Sequence, residues 1–231
     1  MADDLISEVA VEMAAPVERM FGELAELQGA LTALVVADGM DRRLASADLQ
    51  RLRRTADALL RDDRLAVGAG VVMEPGFLID ADRCIEWRQR GRDGRTRPLV
   101  LDVNPSSEDP YDYPAMEWFR IPRDERRRMV RGPYFDYRGA DRFTLTFGLP
   151  VVVESLFIGV AGADVPLSFL ESELLPSLRR IPQRVALLNH EQRVVTANTP
   201  HYATGVRIRD AAGGTYVNVL EDLGWRLLVS E

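Results

Sequence analysis

The hydrophobic period of this chain changes once, near Leu65, and that change limits the folds open to it. Before it, Ile6, Val9, Met13, Val17, Met20, Leu24, Leu27, Leu31 and Leu34 recur at three- and four-residue steps, the spacing of one helix face. The spacing predicts a long helix over Leu5–Val36, with Pro16 kinking it or starting a second segment. Asp38-Gly39 reads as a turn. Ser46 can cap a second helix whose apolar face is Leu49, Leu52, Ala56, Leu59 and Leu60 and whose polar face carries Arg53 and Asp57 at helical spacing. Residues 1–64 are thus expected to form a helical hairpin, packed on the domain that follows or on its own copy in a homodimer.

From residue 65 to residue 231 the apolar runs are short and alternating, as in strands. Predicted strands are Ala66–Met73, Phe77–Ile79, Cys84–Arg88, Pro98–Val103, Val130–Tyr137, Phe143–Val153, Leu156–Asp164, Arg184–Asn189, Val194–Asn198, Thr215–Leu220 and Trp225–Val229. Turn residues join them at Glu74-Pro75-Gly76, Arg138–Asp141 and Ala212-Gly213-Gly214. Links this short imply antiparallel pairing. Two helices interrupt the strands, one over Tyr113–Arg128. The other follows Pro166 with Leu167, Leu170, Leu174 and Leu178 on one stripe, and Pro176 bends or ends it. The fold class is α+β: an N-terminal helical hairpin, then an antiparallel sheet with flanking helices.

Composition removes several functions. The net charge of −7 argues against nucleic acid as a partner. The basic run Arg123–Arg131 is broken by Asp124 and Glu125 and reads as a solvated helix face. All 29 basic residues are arginine, so no lysine Schiff base or P-loop is possible. Cys84 is the only cysteine, and His190 and His201 are the only histidines. They make no HExxH and no zinc cluster, so no metal and no cofactor is expected. There is no GxSxG. Gly68-Ala69-Gly70 is too short for a dinucleotide fingerprint and reads as a strand packed closely against something. The N-terminus is acidic and unlike a signal peptide, and no uninterrupted apolar run approaches the roughly 20 residues of a membrane span. A cytoplasmic protein without a membrane partner is therefore expected.

Two local features point to a ligand site. Glu108–Phe119 reads EDPYDYPAMEWF, with aromatics that could wall a pocket or anchor a helix. In Leu156–Asp164 a period of two places Leu156, Ile158, Val160, Gly162 and Asp164 on one face. Asp164 ends an apolar row beside a glycine, and its carboxylate needs a partner there. That partner is the start of the following helix, a ligand cation, or both through different oxygens.

Trp118-Phe119 at a helix start, then GPYFDY, FTLTFGLPV, GVAGADV and an amphipathic helix form an ordered set. It resembles the Cache sensor domains, extended relatives of PAS domains, over about Leu65–Thr199. The resemblance implies a PAS-like sheet with a small-molecule pocket between sheet and helical loops. Such domains sense amino acids, amines or organic acids, and most lie outside the membrane in receptors. The family's amino-acid pattern is a tyrosine, Arg-x-Trp-Tyr, a later tyrosine and an aspartate. It carries over to Tyr111, Trp118, Phe119 in place of tyrosine, Tyr134 with Tyr137 as fallback, and Asp164. Met116 stands at the arginine position, which leaves Arg120 or another arginine to grip a ligand carboxylate, or a ligand without one. Trp87 and Asp136 complete the candidate ligand-binding set. With no attached output domain, the chain reads as a free-standing cytosolic sensor that signals through a regulatory protein partner. Two rival readings make different predictions. A hydrolase or isomerase using Asp136 and Asp164 needs interacting carboxylates in one cleft. A dimeric scaffold with a vestigial pocket needs a sealed sheet face.

Overall fold

A computed structural model describes residues 2–37, 44–61, 65–91, 93–137, 142–209 and 213–231. Helix α1 spans Ala2–Ala37 and runs unbroken through Pro16. Every member of its predicted stripe is buried, and each such side chain contributes roughly 1.5–3 kcal/mol by leaving water. A 3-10 segment, Ser46–Leu52, runs into α2, Arg53–Leu59. Ser46 does not cap it. Asp48 accepts the N–H of Ala45 at 3.0 Å, while the Ser46 N–H and hydroxyl both donate to Asp80. Arg53 and Asp57 do not pair along the helix either. Arg53 donates to Glu86 and Asp57 accepts from Arg88, each at 2.8 Å, which fastens α2 to a strand. The Asp38-Gly39 turn and the 64/65 boundary lie outside the described residues, as do Arg138–Asp141 and Ala212.

The strands form two sheets where the sequence suggested one. The first has β1 (Gly68–Met73), β2 (Ile85–Arg90), β3 (Thr96–Pro98), β4 (Met129–Asp136), β5 (Arg142–Val153) and β6 (Leu156–Pro166), in the order β3-β2-β1-β6-β5-β4. The second has β7 (Arg184–Leu188), β8 (Val194–Ala197), β9 (Thr215–Leu220) and β10 (Trp225–Ser230), in the order β8-β7-β10-β9. All pairings between these strands are antiparallel. Helix α3 covers Glu117–Glu125 after a separate 3-10 turn, Tyr113–Ala115. Helix α4, Leu167–Leu178, links the sheets and continues past Pro176. Phe77–Ile79 is a bend, not a strand, and Pro98–Val103 is irregular after β3.

Helix α1 is the common backing of both sheets. Val71, Phe147, Ala163, Leu187, Trp225 and Leu227 share one apolar core with it. The opposite face of the first sheet carries Val72, Trp87, Phe157 and Val160, covered by Tyr113, Trp118 and Phe119. Two bulges set which residues reach that face. Arg131 pairs with Thr146 and Tyr134 with Thr144, so Gly132-Pro133 inserts one extra residue. This turns Tyr134 to the same side as Arg131, although they are three apart. In β6, Val151 pairs with Gly159 but Val152 with Phe157. Val160, Gly162 and Asp164 keep the predicted face, whereas Ile158 switches to the α1 core.

The arginine run is a solvated helix face only in part: Asp124–Arg127 are exposed, but the run outlasts the helix. Helix α3 ends at Glu125. Arg123 and Arg126 lie over the rings of Phe119 and Phe157, and Arg128 binds Glu18 of α1 and Asp222 before β10, each at 2.6 Å.

Candidate ligand-binding cleft

The covered face of the first sheet holds a narrow cleft, with ≈ 50 Å³ open to a water-sized sphere and ≈ 480 Å³ of empty space counted out through its mouth. The sheet supplies Val72, Ile85, Trp87, Tyr134, Asp136, Thr146 and Asp164. The segment after β3 supplies Leu99, Leu101 and Tyr111, and α3 supplies Trp118. An open cleft is not the sealed face that a vestigial pocket requires.

Trp87 forms one wall because three glycines make room for it. A Cβ at Gly68 would stand 2.7 Å from its indole nitrogen, one at Gly70 2.9 Å from Cε3, and one at Gly162 3.1 Å from Cη2. The close packing expected of Gly68-Ala69-Gly70 is therefore packing against Trp87. Trp118 is held by Met116, whose sulfur accepts the indole N–H at 3.3 Å. Tyr113, fully buried, donates its hydroxyl to the Met73 carbonyl at 2.8 Å and anchors the turn before α3.

Asp164 lies at the floor. It is no cap for α4, whose N-terminus has no side-chain cap. The Thr146 hydroxyl donates to Asp164 Oδ1 at 2.7 Å, and Tyr134 Oη lies 2.7 Å from Thr146 Oγ1. A Cβ at Gly68 would be 3.1 Å from Asp164 Oδ2. Burial pushes the Asp164 carboxyl up to about 7, opposed by the Thr146 hydrogen bond and reinforced by the charge of Asp136. Burial, and then the Asp164 charge, raise the Tyr134 phenol as well. Among the described residues lining the cleft, none is basic.

Of the expected site residues, Trp87, Tyr111, Trp118, Tyr134, Asp136 and Asp164 converge on the cleft. Three do not line it. Phe119 is fully buried behind Trp118, packed edge-on against Tyr113 and Phe157. Met116 supports Trp118, and Arg120 is exposed on α3. Tyr137, the fallback for Tyr134, is 83% exposed. Thr146, Leu99 and Leu101 were missed. The alternation in FTLTF already set Thr144 and Thr146 on one face opposite Leu145 and Phe147. Asp136 and Asp164 do share a cleft, as an enzyme using both would require, so geometry alone does not separate the two classes.

Comparison with known proteins does. The fold is similar to methyl-accepting chemotaxis protein X, at 16% identity and a TM-score of 0.62 over 97% of this chain and 96% of the other. It is also similar to the ligand-binding domain of the Pseudomonas aeruginosa PAO1 amino-acid chemoreceptor PctC in complex with GABA. Identity there is 14% and the TM-score 0.62, over 98% and 96% of the two chains. A third similar structure, with 14% identity and a TM-score of 0.68 over 98% and 91%, is the extracellular domain of a protein assigned as a histidine kinase. At these identities the likeness establishes the fold. Among curated proteins, none matches this sequence. The family model for the first PDC sensor domain of methyl-accepting-chemotaxis-protein-like receptors matches residues 55–172. With that match spanning half of its 231 residues, the chain belongs to this PDC family and is a small-molecule-binding sensor domain, not an enzyme.

Proposed function

We propose that the cleft takes a small organic cation, an amine-type metabolite, as its signal. One observation carries this reading: Asp164 sits at the floor among Trp87, Tyr111, Trp118 and Tyr134, with no basic side chain among the described residues of the lining. Each aromatic face can contribute roughly 0.5–2 kcal/mol to an ammonium group, and the carboxylate supplies a charge-assisted contact. An amino acid would also need a partner for its carboxylate. Met116 occupies the position where the family pattern has arginine, and Arg120 is exposed. Arg131, opposite Thr146 in the sheet, is bound to Glu117 at 2.9 Å. PctC holds GABA in its structure; here, among the described residues of the lining, the acid end of such a ligand has no matching cation.

The expected placement in the cytoplasm is not supported, since a protein of the same fold is an extracellular domain. The expectation that no segment suits a membrane also needs correction. Asp4–Ala37 is long and apolar enough to cross one by length and composition, although its inward stripe is buried against the sheets.

Calorimetry with L-valine and with the amine left by removing its carboxylate tests the proposal. The amine is expected to bind more tightly, and Asp164→Asn to weaken it by more than about tenfold. Tighter binding of the amino acid, or an unchanged affinity in folded Asp164→Asn protein, would refute the cation reading.

A further inference from the structure

We infer that cation binding in this cleft expels a proton from Asp164, so that the sensor reads ligand and acidity together. The inference rests on the cation reading above and adds a regulation to the same site. In the ligand-free protein the Asp164 carboxylate would have the Thr146 hydroxyl as its one hydrogen-bond donor. Among the described residues lining the cleft, the groups facing it from neighbouring elements include no cation. Strand β4 brings Asp136 and Tyr134, and the segment after β3 brings Tyr111. Strand β5 brings Thr146, with Arg142 at its start standing opposite Asp136. Strand β1 offers Gly68, Gly70 and Val72, none of them polar, and β2 offers Trp87, whose buried indole nitrogen has no hydrogen-bond partner among the described residues. From α3 comes Trp118, while the adjacent Glu117 is turned to Arg131 and His190.

A carboxyl so placed keeps its proton close to neutrality, at about 7. A fixed positive charge seated between the rings supplies the missing counter-charge and favours the ionised form. The balance is a neutral carboxylic acid plus a cation giving a carboxylate–cation pair plus one proton released to solvent. The hydroxyl relay turns with it. When Asp164 is ionised, Thr146 donates to it and Tyr134 donates to Thr146. When Asp164 is protonated, it can donate to Thr146, and the relay reverses.

The test uses choline, whose charge is independent of pH, so that only the protein titrates. Titration calorimetry at pH 5.5 and 8.0, in buffers of different ionisation enthalpy, reads both affinity and proton release. Affinity is expected to be about thirtyfold weaker at pH 5.5, with close to one proton released per choline near pH 6. Asp164→Asn should bind choline weakly and equally at both pH values. Choline affinity equal within twofold at the two pH values, with no proton release, would overturn the coupling and leave the cation site standing. Absence of choline binding at both pH values would overturn the cation reading, and the coupling with it.

Discussion

Asparagine at position 164 keeps an oxygen for the Thr146 hydroxyl and removes the charge, so it separates the stability of the fold from the needs of the ligand. The Asp164 carboxyl is held at about 7 against an ordinary 3.8. The folded protein therefore binds this proton more tightly than the unfolded chain. The associated stability is fully present below pH 3.8 and is lost as pH rises toward 7. At pH 8 an ionised Asp164 costs the ligand-free fold about 4 kcal/mol, at 1.36 kcal/mol per unit. At pH 5 the cost is about 2 kcal/mol by the same arithmetic. The asparagine amide introduces N–H groups beside Gly68 and Trp87, at roughly 1–3 kcal/mol if unpaired. Asp164→Asn is thus expected to stabilise the empty protein by about 1–3 kcal/mol at pH 8 and to be near neutral at pH 5. Urea unfolding of both proteins at the two pH values measures this. The change between them, about 2–3 kcal/mol, does not depend on the amide cost. An equal effect of the substitution at pH 5 and pH 8 would refute the argument, because it would mean that Asp164 is ionised in the fold at both.

Gly70→Ala should destabilise the protein by about 1–3 kcal/mol, because its Cβ would collide with the Glu86 carbonyl and press on the Trp87 ring. A urea midpoint and tryptophan emission matching the parent's would show that this wall of the cleft is softer than its packing indicates. Asn189 is buried, donates to the Gly132 carbonyl at the β4 bulge and accepts the N–H groups of Glu191 and Arg193. Asn189→Ala should cost about 2–4 kcal/mol in chemical denaturation, since it orphans groups at the β4 bulge and in the β7–β8 turn at once; a loss below about 0.5 kcal/mol would mean that water replaces them.

The cleft was legible wherever local periodicity or an ordered motif fixes direction. Tyr134 and Asp136 are two apart in a strand, and so are Gly162 and Asp164; each pair shares a face by alternation alone. Trp118 and Phe119 show the limit of that reasoning. Neighbours on a helix point about 100° apart, so when Trp118 faces the cleft Phe119 turns into the core. The arginine run shows another limit. Its role depends on Glu18 and Asp222, which lie about a hundred positions away in each direction and meet it only across the fold.

The sequence by itself determined the helical N-terminus, the α+β class, the α1 stripe and the chemical types available for a site: acids, aromatics and arginines, with almost no histidine or cysteine. These follow from repeat spacing and composition, which are local or global properties of the chain. Tertiary structure decided how the strands divide into two sheets, because strand partnership is a long-range choice that alternation leaves open. It also decided the two bulges, each a one-residue shift that reverses every side chain beyond it and cannot be seen without the facing strand. One of them swings Tyr134 toward Thr146, and the glycines of β1 and β6 let Trp87 lie flat against the sheet. Together they turn Asp164 from an unremarkable strand-end acid into a carboxyl with one hydroxyl partner and, among the described residues of the cleft, no neighbouring cation, where burial sets its affinity for a proton.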